Sequence, residues 1–299
     1  MTLPTHLRGI ALAMGSGICW GSMAVAAQYL MVSAGFEAMD LVTSRLLGAG
    51  LMLLLLDAFL FRQPVFSYCR NRRDFLGMMI YGFLLMATQL AFFLAIETSN
   101  AGTAAIFVMT GPAFILLWES RVGRCFPSAR ALLAVLLAMA GVSLIVTKGD
   151  FSHMDFNLES VGWGLTSAIA GSAASIQPRR LLNTIPVTVV VAFGMTAGGL
   201  MMCFVAPPWA MDADWTALSV FSYGYMVIFG TLIAFILYLS SLKYISPTAA
   251  GLVNSFEPLS AVFFSVVLLG VTVTVPELIG GALVFVMLWL LTTSPKKSA

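Results

Sequence analysis

Ten apolar runs, each close to the length of one membrane crossing and bounded by polar, Gly or Pro punctuation, fill this chain: about residues 7–32, 38–61, 74–96, 101–120, 129–147, 160–178, 185–206, 217–241, 248–270 and 276–293. A hydrocarbon layer of about 30 Å demands roughly 20 apolar residues per helical crossing. Inside lipid, only a helix or a closed barrel satisfies its own backbone. The runs therefore predict an all-α integral membrane protein with ten transmembrane helices. Charged residues are 9% of the 299, against roughly 25% in a soluble domain, so water is excluded as the solvent for most of the surface. The longest polar stretches, Arg62–Asp74 and Thr147–Glu159, leave no room for a soluble catalytic domain. Function must then reside within the bundle. The run from Gly9 to Val32 exceeds a signal-peptide core and lacks a clear small-residue cleavage site, so it reads as a retained first helix.

The cations set the orientation. Counting connectors from an inside amino terminus places Arg8, Arg62, Arg70, Arg72, Arg73, Arg121, Arg124, Arg130, Arg179, Arg180, Lys243, Lys296 and Lys297 on one side, with only Lys148 on the other. Glu37, Asp40, Glu97, Asp150, Asp155, Glu159, Asp212 and Asp214 gather opposite them. This asymmetry is the positive-inside signal, and it predicts an inner-membrane protein with both termini cytoplasmic. Cys69 and Cys125 fall in Arg-rich connectors on the reducing side, while Cys19 and Cys203 fall in apolar runs, so a disulfide framework is not expected. His6 and His153 are far apart, and neither a metal nor a cofactor is expected. There is no GxxxxGK[ST] phosphate loop to imply ATP. The expected partners are the lipid bilayer and a small-molecule substrate, with no nucleic acid.

Cutting near Asp155 exposes a repeat, with units 1–154 and 155–299. Ala95-Ile-Glu-Thr-Ser-Asn-Ala-Gly-Thr-Ala-Ala, leading to Gly111-Pro112, aligns with Ser241-Leu-Lys-Tyr-Ile-Ser-Pro-Thr-Ala-Ala-Gly, leading to Glu257-Pro258. The offset between Pro112 and Pro258 is 146, and it carries Ala134-Val135 onto Gly280-Gly281. Gly9–Ser22 also matches Gly162–Ser175, although shared Gly and Ala alone account equally well for that match. Five helices per unit is an odd number, so the second unit enters the membrane from the opposite side. The expectation is two inverted five-helix repeats, the arrangement that gives a transporter two nearly equivalent states open to opposite faces.

The first-helix Cys19-Trp20-Gly21-Ser22, the second-helix Ser44-Arg45-Leu46-Leu47, and the small-residue starts before Pro112 and Pro258 resemble the drug/metabolite transporter superfamily, in particular its ten-helix EamA-type exporters. The resemblance covers the whole chain and implies a two-repeat exporter, similar to bacterial exporters of aromatic and other neutral amino acids. Gly123-Arg124 and Gly270-Val271 depart from the Gly-Glu that often closes the fourth and ninth helices in that family, so no role of that carboxylate carries over.

Polar groups inside apolar helices mark the pathway, because a mid-bilayer charge costs about 2.5 to 3.5 kcal/mol or more. Arg45 lies about two turns from the outer end of the second helix, within snorkelling reach of Glu37 or Asp40, and its match to a position of the family that the chain resembles implies a structural or gating ion pair. Glu257, in the ninth helix, can bind a substrate amino group or carry a proton; the competing reading is a hydrogen bond that holds the kink. Pro112 and Pro258 cannot donate to the carbonyls of Val108 and Asn254, and read as symmetric hinges or cavity walls, or as passive kinks. Trp20, Tyr81, Gln89, Thr103, Thr110, Trp163, Ser167, Tyr238, Asn254 and Glu257 are the expected substrate-binding residues of a mostly apolar cavity. Trp163 has an equal claim to be an interfacial anchor. Strongly anionic cargo would need several intramembrane cations, and the spans offer only Arg45.

These residues predict a secondary transporter, not an enzyme, that exports small neutral metabolites, foremost aromatic or other neutral amino acids, by alternating access and as a monomer. Uniport and proton exchange both remain open. A multidrug or lipophilic-cation exporter is the alternative within the carrier class. Outside it stand an integral-membrane lipid enzyme, which would need a nucleophile or acid/base cluster at one depth, and a channel.

Overall fold

The computed structural model describes residues 4–99, 101–152, 154, 157–270 and 272–292. Asn100, His153, Asp155, Val271, Lys296 and Lys297, all used in the sequence reading, lie outside the described residues. Among those described there are ten helical rods and no strand. They are α1 (Thr5–Ser33), α2 (Ala38–Leu60), α3 (Arg72–Glu97), α4 (Ala101–Val108 and Gly111–Val122), α5 (Ala129–Thr147), α6 (Leu158–Ile176), α7 (Val187–Met202), α8 (Ala217–Ser241), α9 (Pro247–Val253 and Phe256–Leu269) and α10 (Val275–Thr292). Eight of the rods are long and apolar enough to cross a membrane, and α7 is a shorter apolar helix. The sequence of α6 is diluted by Gly and Ser. Each expected span corresponds to one rod.

Side-chain caps fix where rods begin. Asn71 accepts the Arg73 N–H at 3.1 Å, which draws Arg72 and Arg73 into the first turn of α3, where the sequence reading left them in a connector. Ser128, Asn157, Thr216 and Ser246 accept N–H groups of Ala131, Ser160, Ser219 and Ala249 at 3.2, 2.8, 3.2 and 3.2 Å, so each satisfies one of the donors a helix start leaves unpaired. Two of the ten rods are not continuous. α4 breaks at Met109 and Thr110 just before Pro112, and α9 breaks at Asn254 and Ser255 just before Pro258. The Asn254 carbonyl that Pro258 cannot serve is not orphaned: it accepts the Glu257 N–H at 2.9 Å, a tightened i to i+3 bond. Pi-helical turns interrupt α2 at Leu56–Leu60 and α8 at Ile228–Ile233.

The packing maps onto itself when the first five rods are exchanged for the last five. α2 packs on α7 and α5 on α10; α3 on α6 is matched by α8 on α1, and α1 on α9 by α6 on α4. Small residues allow these contacts. A Cβ added at Gly141 would lie 2.8 Å from the Gly280 carbonyl oxygen, and one at Gly280 would lie 2.5 Å from the Gly141 oxygen, so α5 and α10 touch backbone to backbone. One end of the bundle gathers the starts of α1 and α3 with the ends of α6 and α8: Arg8 stacks over Tyr244 at 5.1 Å, Arg180 meets Asp74 at 3.6 Å, and Gln177 donates to the Gly77 carbonyl at 2.8 Å. At the other end Asn157 donates to the Thr98 carbonyl at 2.7 Å, and the Asp214 N–H to the Ala34 carbonyl at 2.9 Å.

Candidate functional site

A cavity of about 360 Å³ lies between α1, α2, α3, α4, α6, α8 and α9. Its residues run from the middle of α1 (Trp20) to Met31, from Ala38 to Leu46 on α2, and from Tyr81 to Phe93 on α3. It therefore reaches from mid-depth toward the α1–α2 connector, where Ala27, Met31 and Ala38 line it. The floor is aromatic. Tyr81 is 1% exposed, and Tyr238 shares a hydrogen bond with Ser175 at 2.8 Å between the oxygens. Trp20 tilts against Tyr238 at 5.6 Å and meets Phe235 edge to face at 5.1 Å.

Most hydroxyls on the wall are already committed to backbone. Thr88 donates to the Leu84 carbonyl at 2.7 Å, Ser167 to the Thr88 carbonyl at 2.9 Å, and Ser172 to the Gly111 and Ala168 carbonyls at 3.0 and 2.7 Å. Such bonds keep a helix surface dry and rigid. The polar groups left for a ligand include Gln89, Arg45, Asn254 and Glu257. Asn254 donates through Nδ2 to Glu257 Oε2 at 3.2 Å, which leaves its buried Oδ1 without a hydrogen-bond partner.

Of the residues expected from the sequence, Trp20, Arg45, Tyr81, Gln89, Pro112, Ser167, Tyr238, Asn254 and Glu257 come together on this wall. Thr103, Thr110, Trp163 and Pro258 do not. Thr103 is fully buried beside the Met154 sulfur at 3.5 Å, and the Thr110 hydroxyl turns back to the Phe107 carbonyl at 2.6 Å. Trp163 sits near the start of α6 and is 37% exposed, the setting of an interfacial aromatic. Arg45 does not snorkel toward Glu37 or Asp40: it faces the cavity, 7% exposed, and Nη1 donates to Thr231 Oγ1 at 3.4 Å. The Thr231 hydroxyl in turn donates to the Met226 carbonyl at 3.0 Å, across the pi-helical turn of α8.

Two features were missed in the sequence. Ser22 and Ser175, the last residues of the matched Gly9–Ser22 and Gly162–Ser175 segments, each pair with a tyrosine of α8: Tyr225 donates to Ser22 at 2.7 Å, and Tyr238 pairs with Ser175. The second is Asp57, which is 0% exposed in the pi-helical turn of α2; its carboxylate oxygens make no hydrogen bond of ordinary geometry, and the Thr188 side chain on α7 is placed to donate to it. An ionisable residue inside an apolar span was the available signal. Because an unpaired buried carboxylate costs more than a neutral amide, Asp57→Asn is expected to leave the melting temperature unchanged or raise it by a few degrees, on the order of 1 kcal/mol. Asp57→Lys, with a longer side chain and an unpaired charge of opposite sign, is expected to abolish recovery of folded protein; equal melting of the two variants would contradict this account of the site.

A polytopic helical bundle that encloses a part-polar cavity at mid-depth defines a membrane transporter, and the comparisons agree. The EamA-like transporter family pattern matches residues 7–147 and again 159–293, so the chain belongs to that family. It is 31% identical over 296 residues to the uncharacterized inner membrane transporter YicL of Salmonella typhimurium, covering 98% of this chain and 97% of that one. It is 27% identical over 283 residues to the uncharacterized inner membrane transporter YedA of Escherichia coli K12, covering 90% and 85%. A solved crystal structure shares the fold with a TM-score of 0.79 at 16% identity, over 95% of this chain and 96% of that one.

Proposed function

We propose that the chain is a secondary transporter of the inner membrane that exports small neutral metabolites, foremost aromatic or other neutral amino acids, by alternating access between the units 1–154 and 155–299. The carrying observation is the cavity itself: largely apolar and aromatic walls, with one cation and one anion, Arg45 and Glu257. That lining suits a molecule that is neutral overall and part hydrophobic. With both termini cytoplasmic, the mouth at Ala27, Met31 and Ala38 faces outward, and the Tyr81, Tyr238 and Ser175 floor closes the inner side. The two units supply a complete pathway, so the monomer suffices. Lipophilic cations are the second reading, favoured by Glu257 among aromatics and opposed by the Arg45 charge in the same wall.

Counterflow in proteoliposomes tests this. Labelled phenylalanine is expected to accumulate transiently when unlabelled phenylalanine is loaded inside, and to saturate; flux linear in concentration would indicate a pore. Uphill accumulation driven by an imposed pH gradient would replace uniport by proton exchange. Orientation has its own test. Single cysteines introduced at Arg70 and Arg179 are expected to react with a membrane-impermeant maleimide only from the cytoplasmic face, and reaction from opposite faces would overturn the inverted arrangement.

A further inference from the structure

Arg45 and Glu257 face the same cavity and are within electrostatic reach of each other, yet no ion pair joins them. Two opposite charges held apart in a low-dielectric site remain under-compensated unless something bridges them. Arg45 has five N–H donors, and the structure assigns a protein acceptor, Thr231, to Nη1. The rest of its planar fork fits a carboxylate in two-pronged geometry. On α9, the Asn254 amide is oriented by its bond to Glu257; its Oδ1 is a buried acceptor with no partner, and the Glu257 carboxylate on the cavity wall is a second acceptor three residues on, across the helix break. An ammonium group has three donors and no acceptor, the complement of that set.

Resting on the transporter reading above and deepening it, we propose that the cavity is a two-ended clamp for the zwitterion of an α-amino acid: Arg45 holds the carboxylate, and Glu257 with Asn254 Oδ1 holds the ammonium. The apolar side chain then lies along Phe92, Phe93 and Met226. Recognition is by both charged ends at once. A monoamine leaves Arg45 unpaired in a dry site, and a monocarboxylate leaves Glu257 unpaired. Both classes are therefore rejected, which distinguishes this site from one for lipophilic cations.

The test measures binding to the purified full chain by thermal shift and tryptophan fluorescence, with L-phenylalanine, phenethylamine and 3-phenylpropionate, which share a side chain and differ in charged ends. Phenylalanine is expected to bind at least about tenfold more tightly than either fragment, the scale of one charge-assisted hydrogen bond lost in a buried site. Glu257→Gln is expected to weaken phenylalanine about tenfold or more while leaving 3-phenylpropionate unchanged or tighter; Arg45→Gln should show the mirror pattern with phenethylamine. If a variant does not fold, the three-ligand comparison on the unaltered chain decides alone. Equal binding of the fragments, equal weakening of all three ligands, or no binding by phenylalanine, leucine and serine alike overturns the clamp. Counterflow of phenylalanine with both fragments competing equally would remove the clamp and leave the transporter reading standing. Zwitterion-selective binding without counterflow of any solute would do the reverse.

Discussion

Gly21→Val is expected to be the most damaging substitution of a small residue in the first helix, reducing recovery of monodisperse protein to background. A Cβ at Gly21 would run into Ser260 Oγ and lie 2.6 Å from the Glu257 carbonyl oxygen and 2.7 Å from the Ala261 nitrogen. Two of those three atoms are backbone of α9, so no rotamer change relieves the overlap, and α1 has to move off α9. That motion also breaks the bond from Ser260 Oγ to the Gly17 carbonyl, 3.0 Å, and displaces the turn that carries Glu257. Overpacking of this kind costs on the order of 3 kcal/mol or more, a fall in melting temperature of at least about 5 °C for a chain of this size. Gly162→Ala is the control: nothing lies within 4 Å of its Cβ position. It is expected to melt at the same temperature or slightly higher, since alanine favours a helix. A Gly21→Val protein with the control's melting curve would show that α1 and α9 are not in backbone contact.

The same contact shows how far the sequence could be read. Gly17 and Gly21 announced a close helix approach through their spacing, but not which helix they approach; that depends on where distant segments fold, and α9 is more than 200 residues away. Span existence was legible because twenty apolar residues have one solution in lipid. The repeat was legible because Pro112 and Pro258 stand at one offset, and both fall where a helix is broken. Side-chain direction was not. Arg45 was expected at Glu37 or Asp40 because snorkelling is the default for a lone intramembrane cation, and the cavity supplied a nearer polar environment with Thr231 on α8. Thr103 and Thr110 share the polarity of the wall residues, yet one or two helical positions turn them into the packing or back onto their own helix. Asp57 escaped notice at the end of an apolar run whose last turn is pi-helical, a wider turn that rotates a side chain away from the position an α-helix would give it.

Ala27→Trp is expected to reduce counterflow about a hundredfold, or about 2.7 kcal/mol in the transport barrier, while leaving the melting temperature within a few degrees. Ala27 is half-buried on the cavity wall between Met23 and Met31, on the stretch that leads toward the α1–α2 connector. Ala27 borders the small cluster of Leu30, Phe36, Leu41 and Met226, but it also lines the cavity of about 360 Å³, and an indole that enters this space puts most of its cost on the pathway. The loss should be nearly complete because a carrier that alternates must open both ends in every cycle, and a plug at either end stops net movement and exchange alike. Ala24→Trp places the same ring about one turn earlier, at an exposed position of α1 that is not among the cavity-lining residues. That variant is expected to keep full counterflow, which separates blockage of the mouth from any general effect of a large aromatic on the helix. Counterflow above about a tenth of normal in the Ala27 variant, with the Ala24 variant unaffected, would mean that solute reaches the floor at Tyr81 and Tyr238 by a route that does not pass between α1 and α2.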